Sequence, residues 1–513
     1  MHSNLRKLCF LTFLILTGAL NSHAATYTAS SCSQSDVQEK FTAEQASPAN
    51  GDVIVIPACP GGVTWATGIT SFNTSVSLTI QGSTTVSGSC YPTACTATDN
   101  TVITCDASNG CGGALNITLT GGSSQEVRIT GLTIIGTAYN GNIIANGAAS
   151  VSGPQFRIDH NHFSGYTTTA IREGNPAYGV ADHNVFDASG SGNGIQVWSS
   201  TSNNGDNAFA ASTAFGSANF FFIENNTFNN GYVNDCNVGG RYVFRYNVFI
   251  TSGPGSVQSH ATGSAPPYRG CRAWEVYQNV FSGSSNGSFA TSFQTSGTGL
   301  QWGNEITGFP HDISLVEDRD GNFTYPQSAP PNGWGYCGTT QTGSASSWDG
   351  NVNSNGSNGW PCLDQIGRGK SDLLSGVFPS RSDTLVPALL TGMWPHQASE
   401  PVYIWDETFN GSMSLVSVYS PNNNIQANRD YYAPVNPFTG SGGTGTGTLA
   451  SRPSVCTAMV AYWAIDQNVL YQCQAGNVWI AYYTPYVYPH PLVSGSQTSD
   501  LPAAPTNLTA AIQ

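Results

Sequence analysis

The chain has 513 residues and a formal net charge of −14, and only 9% of its residues are charged, against about 25% in ordinary domains. No basic stripe exists to displace counter-ions, which excludes nucleic acid as a partner. Apolar residues at strand spacing exclude a disordered polyelectrolyte, and any acidic substrate would need a local arginine cluster or a bridging cation.

Residues 1–24 read as a secretion signal. Arg6 and Lys7 precede the apolar run "LCFLTFLILTGAL", and small residues around Ala24 suit cleavage. That run is too short to span a bilayer comfortably and no other transmembrane candidate follows, so an exported protein, secreted or periplasmic/extracellular, is expected. Without Cys9, twelve cysteines remain, an even number that favours disulfides in an exported chain. Short loops suggest Cys32–Cys59, Cys90–Cys95, Cys105–Cys111, Cys337–Cys362 and Cys456–Cys473, leaving Cys236–Cys271. Clustered zinc-type spacing is absent.

"SQSDVQEKFTAEQA" predicts a short helix, with Ser35 and Gln38 as a capping box and Val37 and Phe41 on one apolar face. "GDVIVIP" and "VSLTIQG" then read as strands. Further on, one unit recurs: "FRIDHNHF", "GVADHNVF", "FFIENNTF", "VFRYNVF" and "EVYQNVF" align on Asn161, Asn184, Asn226, Asn247 and Asn279. "VRITGLTII" places Leu132 in that column, "LQWGNEI" places Asn304, and "VYIWDETFNG" places Glu407. The intervals from Leu132 to Asn304 are 29, 23, 42, 21, 32 and 25 residues; the 42 is either one coil with an insertion or two coils.

Each unit reads as a strand, a corner at Asn that takes the left-handed backbone, and a second strand opening on an apolar residue. Ile158, Ile223 and Val276, and separately Phe163, Phe186, Phe228, Phe249 and Phe281, form internal stacks. Stacked asparagines bond from coil to coil at about 4.8 Å spacing. The fold class is all-β, a right-handed parallel β-helix solenoid.

These repeats, with the helix and first strand, resemble the pectate-lyase-like parallel β-helix superfamily, in which the helix caps the open end of the core. The likeness spans roughly residues 31–436 and implies a fold rather than one activity, because the superfamily holds lyases, hydrolases, epimerases, adhesins and tailspikes. Residues 25–437 form the β-helix domain, with a loop-rich insertion at 310–395. A flexible Gly/Thr/Ser linker at 438–451 follows, then a small disulfide-stapled β module at 452–492 and a disordered tail at 493–513.

The resemblance implies a polysaccharide groove along the strand after the Asn-Phe strand: "AIREG", "GIQVW", "YVNDC", "SVQSH" and "SFATS". With Ile171, Ile195, Val233, Val257 and Phe289 inward, Arg172, Gln196, Asn234 and Gln258 form an outward column. Trp198, Cys236 and His260 form the next. Gln196, Asn234 and Gln258 suit sugar hydroxyls, and Trp198 suits a pyranose face. Arg172, Glu173, Asp235 and His260 are the candidate catalytic residues, although Glu173 and Asp235 nominally point inward, where an unpaired carboxylate is costly.

Two positions before the ladder asparagines, Asp159, Asp182 and Glu224 stack as an acidic column relieved by Arg245 or by calcium. The sequence requires no cofactor, and calcium is the one metal this column suggests. Neighbouring His160 and His183 add little evidence for a metal.

The family's best-known mechanisms transfer poorly. The alginate and chondroitin lyase type uses a Lys/Arg pair, yet Lys7, Lys40 and Lys370 fall outside the recognised coils. Pectate lyases use an arginine base with carboxylate-held calcium, a part open to Arg172, Arg241 or Arg245. The Gly-His-Gly and Arg-Ile-Lys motifs of polygalacturonases are absent. Two readings stay open: a secreted enzyme cleaving a polysaccharide by lyase or glycoside hydrolase chemistry, or a non-catalytic glycan-binding or adhesive surface or matrix protein. In either case a monomer is expected.

Overall fold

The computed structural model describes residues 23–494 except 137–140, 149–152, 175–176, 200–204, 206–207, 210, 254, 261–268, 284–290, 317–363, 370–398, 415 and 421–424. The signal segment, the 495–513 tail, Phe289 and the Cys337–Cys362 pair lie outside the described residues.

Three long sheets of 12, 11 and 10 strands, here A, B and C, stack coil upon coil, and within the coils neighbouring strands are parallel. One coil runs from Gln155–Asp159 in A through His162–Tyr166 in B to Thr169–Gly174 in C, and the next starts at Tyr178–Asp182. The chain is a parallel β-helix. Its interior is a column of fully buried side chains: Ile158, Ala181, Ile223, Phe244 and Val276 succeed one another in sheet A. Ring centroids in sheet B lie 5.0 Å apart for Phe163–Phe186 and 4.5 Å for Phe186–Phe228. Such stacked aromatic pairs add to the hydrophobic gain of burial.

The asparagine column is continuous. Leu132 N donates to Asn161 Oδ1 at 3.0 Å, and the same bond repeats through Asn184, Asn226, Asn247, Asn279 and Asn304. The direct Asn184–Asn226 bond makes the 42-residue interval one coil with an insertion. Glu407 ends the column, with Oε1 accepting from Asn304 Nδ2 at 2.7 Å. Burial lifts the Glu407 carboxyl well above its ordinary range.

The left-handed residue at the corner is not the asparagine. It is the residue before it: His160, His183, Asn225, Tyr246, Gln278 and Asp406 have φ between 52° and 56°, and Gly131 and Gly303 take the same place. The asparagine side chain pins the turn by bonding carbonyls on both sides. Asn161 Nδ2, for example, donates to Ile129 O and Asp159 O at 3.0 and 2.9 Å.

The helix Gln34–Ala46 covers the N-terminal end with Val37 and Phe41 fully buried. Its N-cap is Ser33, whose hydroxyl accepts from Asp36 N at 3.3 Å, two residues before the expected capping box. Five of the expected disulfides are present: Cys32–Cys59, Cys90–Cys95, Cys105–Cys111, Cys236–Cys271 and Cys456–Cys473. Among the described residues no helix is long and apolar enough to cross a membrane.

The stretch read as a linker holds a strand. Thr444–Gly447 pairs with Ala461–Ala464 in a four-stranded sheet completed by Val469–Gln474 and Val478–Tyr483. This module packs on the outer face of sheet A, where Trp463 lies 5.1 and 5.4 Å from Trp302 and Trp405. Tyr483 Oη donates to Glu275 Oε2 at 2.7 Å, and Gly216 N donates to Oε1 at 2.8 Å. Burial raises the Glu275 carboxyl from 4.5 to about 7.

A raised pKa means the folded state binds this proton more tightly than the unfolded chain does. Its contribution is therefore full below about pH 4.5 and is lost as pH rises through about 7, by up to about 3 kcal/mol. Denaturation midpoints measured at about pH 5 and about pH 8 should fall with pH in the native protein and fall less in Glu275→Gln. Equal slopes would remove Glu275 from this role.

Candidate functional site on the outer face of sheet C

Sheet C strands Thr169–Gly174, Asn193–Trp198, Tyr232–Asn237 and Val257–Ser259 lie side by side. Arg172 pairs with Gln196, as expected, and Gln196 pairs with Asp235 rather than Asn234. The Tyr232–Asn237 strand is thus shifted by one residue from the sequence alignment, which exchanges the faces of Asn234, Asp235 and Cys236, while Val233 lies in the core as expected. The Cys236–Ser259 pairing sets Gln258 beside Asp235 and His260 beside Asn237. The outer column reads Arg172, Gln196, Asp235, Gln258 and Phe293, and the next reads Trp198, Asn237 and His260.

Asn234 therefore faces the interior, fully buried, and Cys236 is buried in its disulfide. The Asn234 side chain repairs the ladder: Oδ1 accepts from Gln258 N at 3.0 Å. This is an architectural part rather than the substrate contact expected of it. Glu173 also faces inward and is 2% exposed. Burial raises its carboxyl well above the ordinary range, against bonds from the Ala177 and Trp198 backbone. It borders a pocket of about 20 Å³ behind Trp198, room for about one water.

The shift that removes Asn234 brings Asp235 and His260 together. His260 Nδ1 lies 3.2 Å from Asp235 Oδ1, and Gln196 Nε2 donates to Oδ2 at 3.1 Å. The His260 side chain is 42% exposed and that of Asp235 only 8%. Burial alone would raise the Asp235 carboxyl; His260 and Gln196 outweigh it and hold Asp235 below its usual range. An ionised carboxylate at Nδ1 favours the tautomer protonated there and turns Nε2 away from it. Beside this pair, the Arg172 guanidinium stacks 3.9 Å above the Trp198 ring. Asn237 and Phe293, absent from the sequence-level site, enter its columns through the corrected register.

The acidic column on sheet A is a different kind of place. Arg128 grips Asp159 through Nε and Nη2 at 2.7 and 2.6 Å, Arg157 grips Asp182 twice at 3.0 Å, and Arg245 Nε meets Glu224 at 2.7 Å. Guanidinium groups thus relieve the column, Arg245 among them as expected. Among the described residues no group of three or more His, Cys, Asp or Glu could hold a metal. His160 and His183 stack at 5.2 Å, with Nδ1 on Asp159 and Asp182 respectively. His162 bridges Asp99 and Asp187 at 2.8 Å each.

No family model, no curated protein and no solved structure matches this chain.

Proposed function

We propose that sheet C is the working face of a secreted, monomeric polysaccharide-cleaving enzyme of the pectate-lyase-like kind, acting by β-elimination on a uronic-acid glycan. The carrying observation is the His260–Asp235 pair on a flat polar face. Hydrolysis by paired carboxyl groups needs two of them about 5–9.5 Å apart across the bond. Among the described residues of the two outer columns Asp235 is the one carboxylate, with Glu173 turned inward.

In elimination, His260 Nε2 takes the proton from C5 beside the uronate carboxyl. The electron pair forms the C4–C5 double bond, the C4–O bond breaks, and the leaving oxygen takes a proton from water. Asn237 and Gln258 flank His260 and offer amide donors to the uronate carboxylate. Arg172 lies three coils away, about 14 Å at the strand spacing, and so meets the charge of a sugar further along the glycan. Trp198 carries a pyranose face.

The preformed Arg172–Trp198 stack also suits a second reading, a non-catalytic glycan-binding or adhesive protein. Incubation with polyuronates separates the two. The ultraviolet absorbance of an unsaturated uronyl product is expected. New reducing ends without that absorbance would indicate a hydrolase, and retained binding with neither product would indicate a binder.

A further inference from the structure

The corner between sheets A and B, across the coil from sheet C, holds a cleft of about 540 Å³. One side is the N-terminal end of the outer face of sheet A, with Gln81, Arg128 and Thr130; the other is Ser83, Thr85 and the turn between them, with His160 at the edge. Among the described residues none of the C-terminal module lines the cleft; its segment around Leu492 reaches Arg157, whose Nη1 donates to Leu492 O at 3.2 Å.

The cleft is rigid. Gly82 N donates to Thr130 O at 2.9 Å and Thr84 N to Gly131 O at 2.8 Å. A Cβ on Gly82 would meet Gly131 O at 2.1 Å, so the two backbones are in closest contact there. The Thr84 hydroxyl bonds Thr133 at 2.9 Å and accepts from Asn100 N and Thr101 N at 3.1 Å, fixing the opposite wall. The floor is just as fixed. Asp159 takes two bonds from Arg128, one from Thr130 at 3.2 Å, and faces His160 Nδ1 at 2.7 Å.

We infer that this cleft is a second carbohydrate site that takes one or two uncharged sugar residues. Its volume falls in the range of small-ligand pockets, about 300–1,000 Å³, and a preformed wall lowers the ordering cost of binding. Hydroxyls of Ser83 and Thr85 and the Gln81 amide both donate and accept, as vicinal sugar hydroxyls require, while Thr130 Oγ1, whose proton goes to Asp159, accepts. The guanidinium that lines the cleft, Arg128, is already matched by the Asp159 carboxylate, so the surroundings favour a neutral ligand over an anion. The inference is independent of the chemistry assigned to sheet C.

Saturation-transfer NMR on the full chain carrying His260→Ala, with neutral disaccharides of glucose, galactose, mannose and xylose, tests it without turnover. Binding of at least one disaccharide is expected. Thr85→Trp, which fills the cleft mouth, and Gln81→Ala, which trims one exposed side chain, should each weaken it about tenfold. Trp198→Ala should leave it unchanged. No binding across the panel, loss with Trp198→Ala but not with the cleft variants, or displacement by inorganic phosphate would overturn the inference.

Discussion

Replacing Asn226 by alanine is expected to destabilise the β-helix by about 3–5 kcal/mol, at the top of the range for single substitutions. Its Nδ2 donates to Ala181 O at 2.8 Å and Glu224 O at 2.9 Å, and its Oδ1 accepts from Asn184 N at 2.9 Å. Asn226 is fully buried, so truncation leaves those backbone groups without partners or water. Each such group costs about 1–3 kcal/mol, which sets the estimate. The damage should centre on the corner, because Phe228, two residues on, stacks only 4.5 Å from Phe186 and depends on the strand direction that the turn sets. Guanidinium denaturation gives the number, and a loss below about 1 kcal/mol would mean the ladder is ornamental.

The second large effect concerns His260. Its alanine variant should lose about 10²- to 10⁴-fold in kcat on polyuronates, the usual contribution of a positioned acid/base group. KM should stay within about threefold, because the sugar contacts lie on Trp198, Gln258 and Arg172. The side chain is 42% exposed, so folding should be unaffected. Asp235→Asn should also cut kcat by at least about 100-fold, because an amide at Nδ1 no longer selects the tautomer that leaves Nε2 as the base. Imidazole added to His260→Ala should restore part of the rate. A purely structural histidine would show neither the kcat-specific loss nor the rescue.

The solenoid was legible because its corner is marked chemically in six successive coils, from Asn161 to Asn304. An asparagine that must bond both neighbours repeats whatever the loop lengths do, so even the 42-residue interval kept register. The left-handed position carried no such mark: His160, Tyr246 and Gln278 share a backbone angle and no side-chain chemistry. Sheet C lacks a marked corner as well. Its strands enter after turns of differing length, and the alignment slipped by one residue at Tyr232–Asn237. That slip exchanged Asn234 for Asp235 and hid the pairing with His260.

The docking of the C-terminal module left a readable trace. "FFFIE" and "YVFRY" are apolar on both faces, the pattern of strands covered on both sides. Val180, Phe222, Val243 and Leu300 are buried beneath the covering segments. The acidic column already sets Arg245 against Glu224, but the bonds of Arg245 to the cover stayed hidden, because those partners sit far apart in sequence. Arg245 Nη1 and Nη2 donate to Tyr486 O and Val487 O at 2.7 and 2.8 Å.

The most direct measurement is a crystal structure of His260→Ala soaked with a polyuronate oligosaccharide. The glycan should lie along sheet C from Arg172 to Gln258, with one pyranose ring against Trp198 and a sugar C5 facing the space left by the imidazole. An oligosaccharide bound elsewhere on the solenoid, or lying along sheet C with every C5 turned from Asp235, would contradict the assignment of this face.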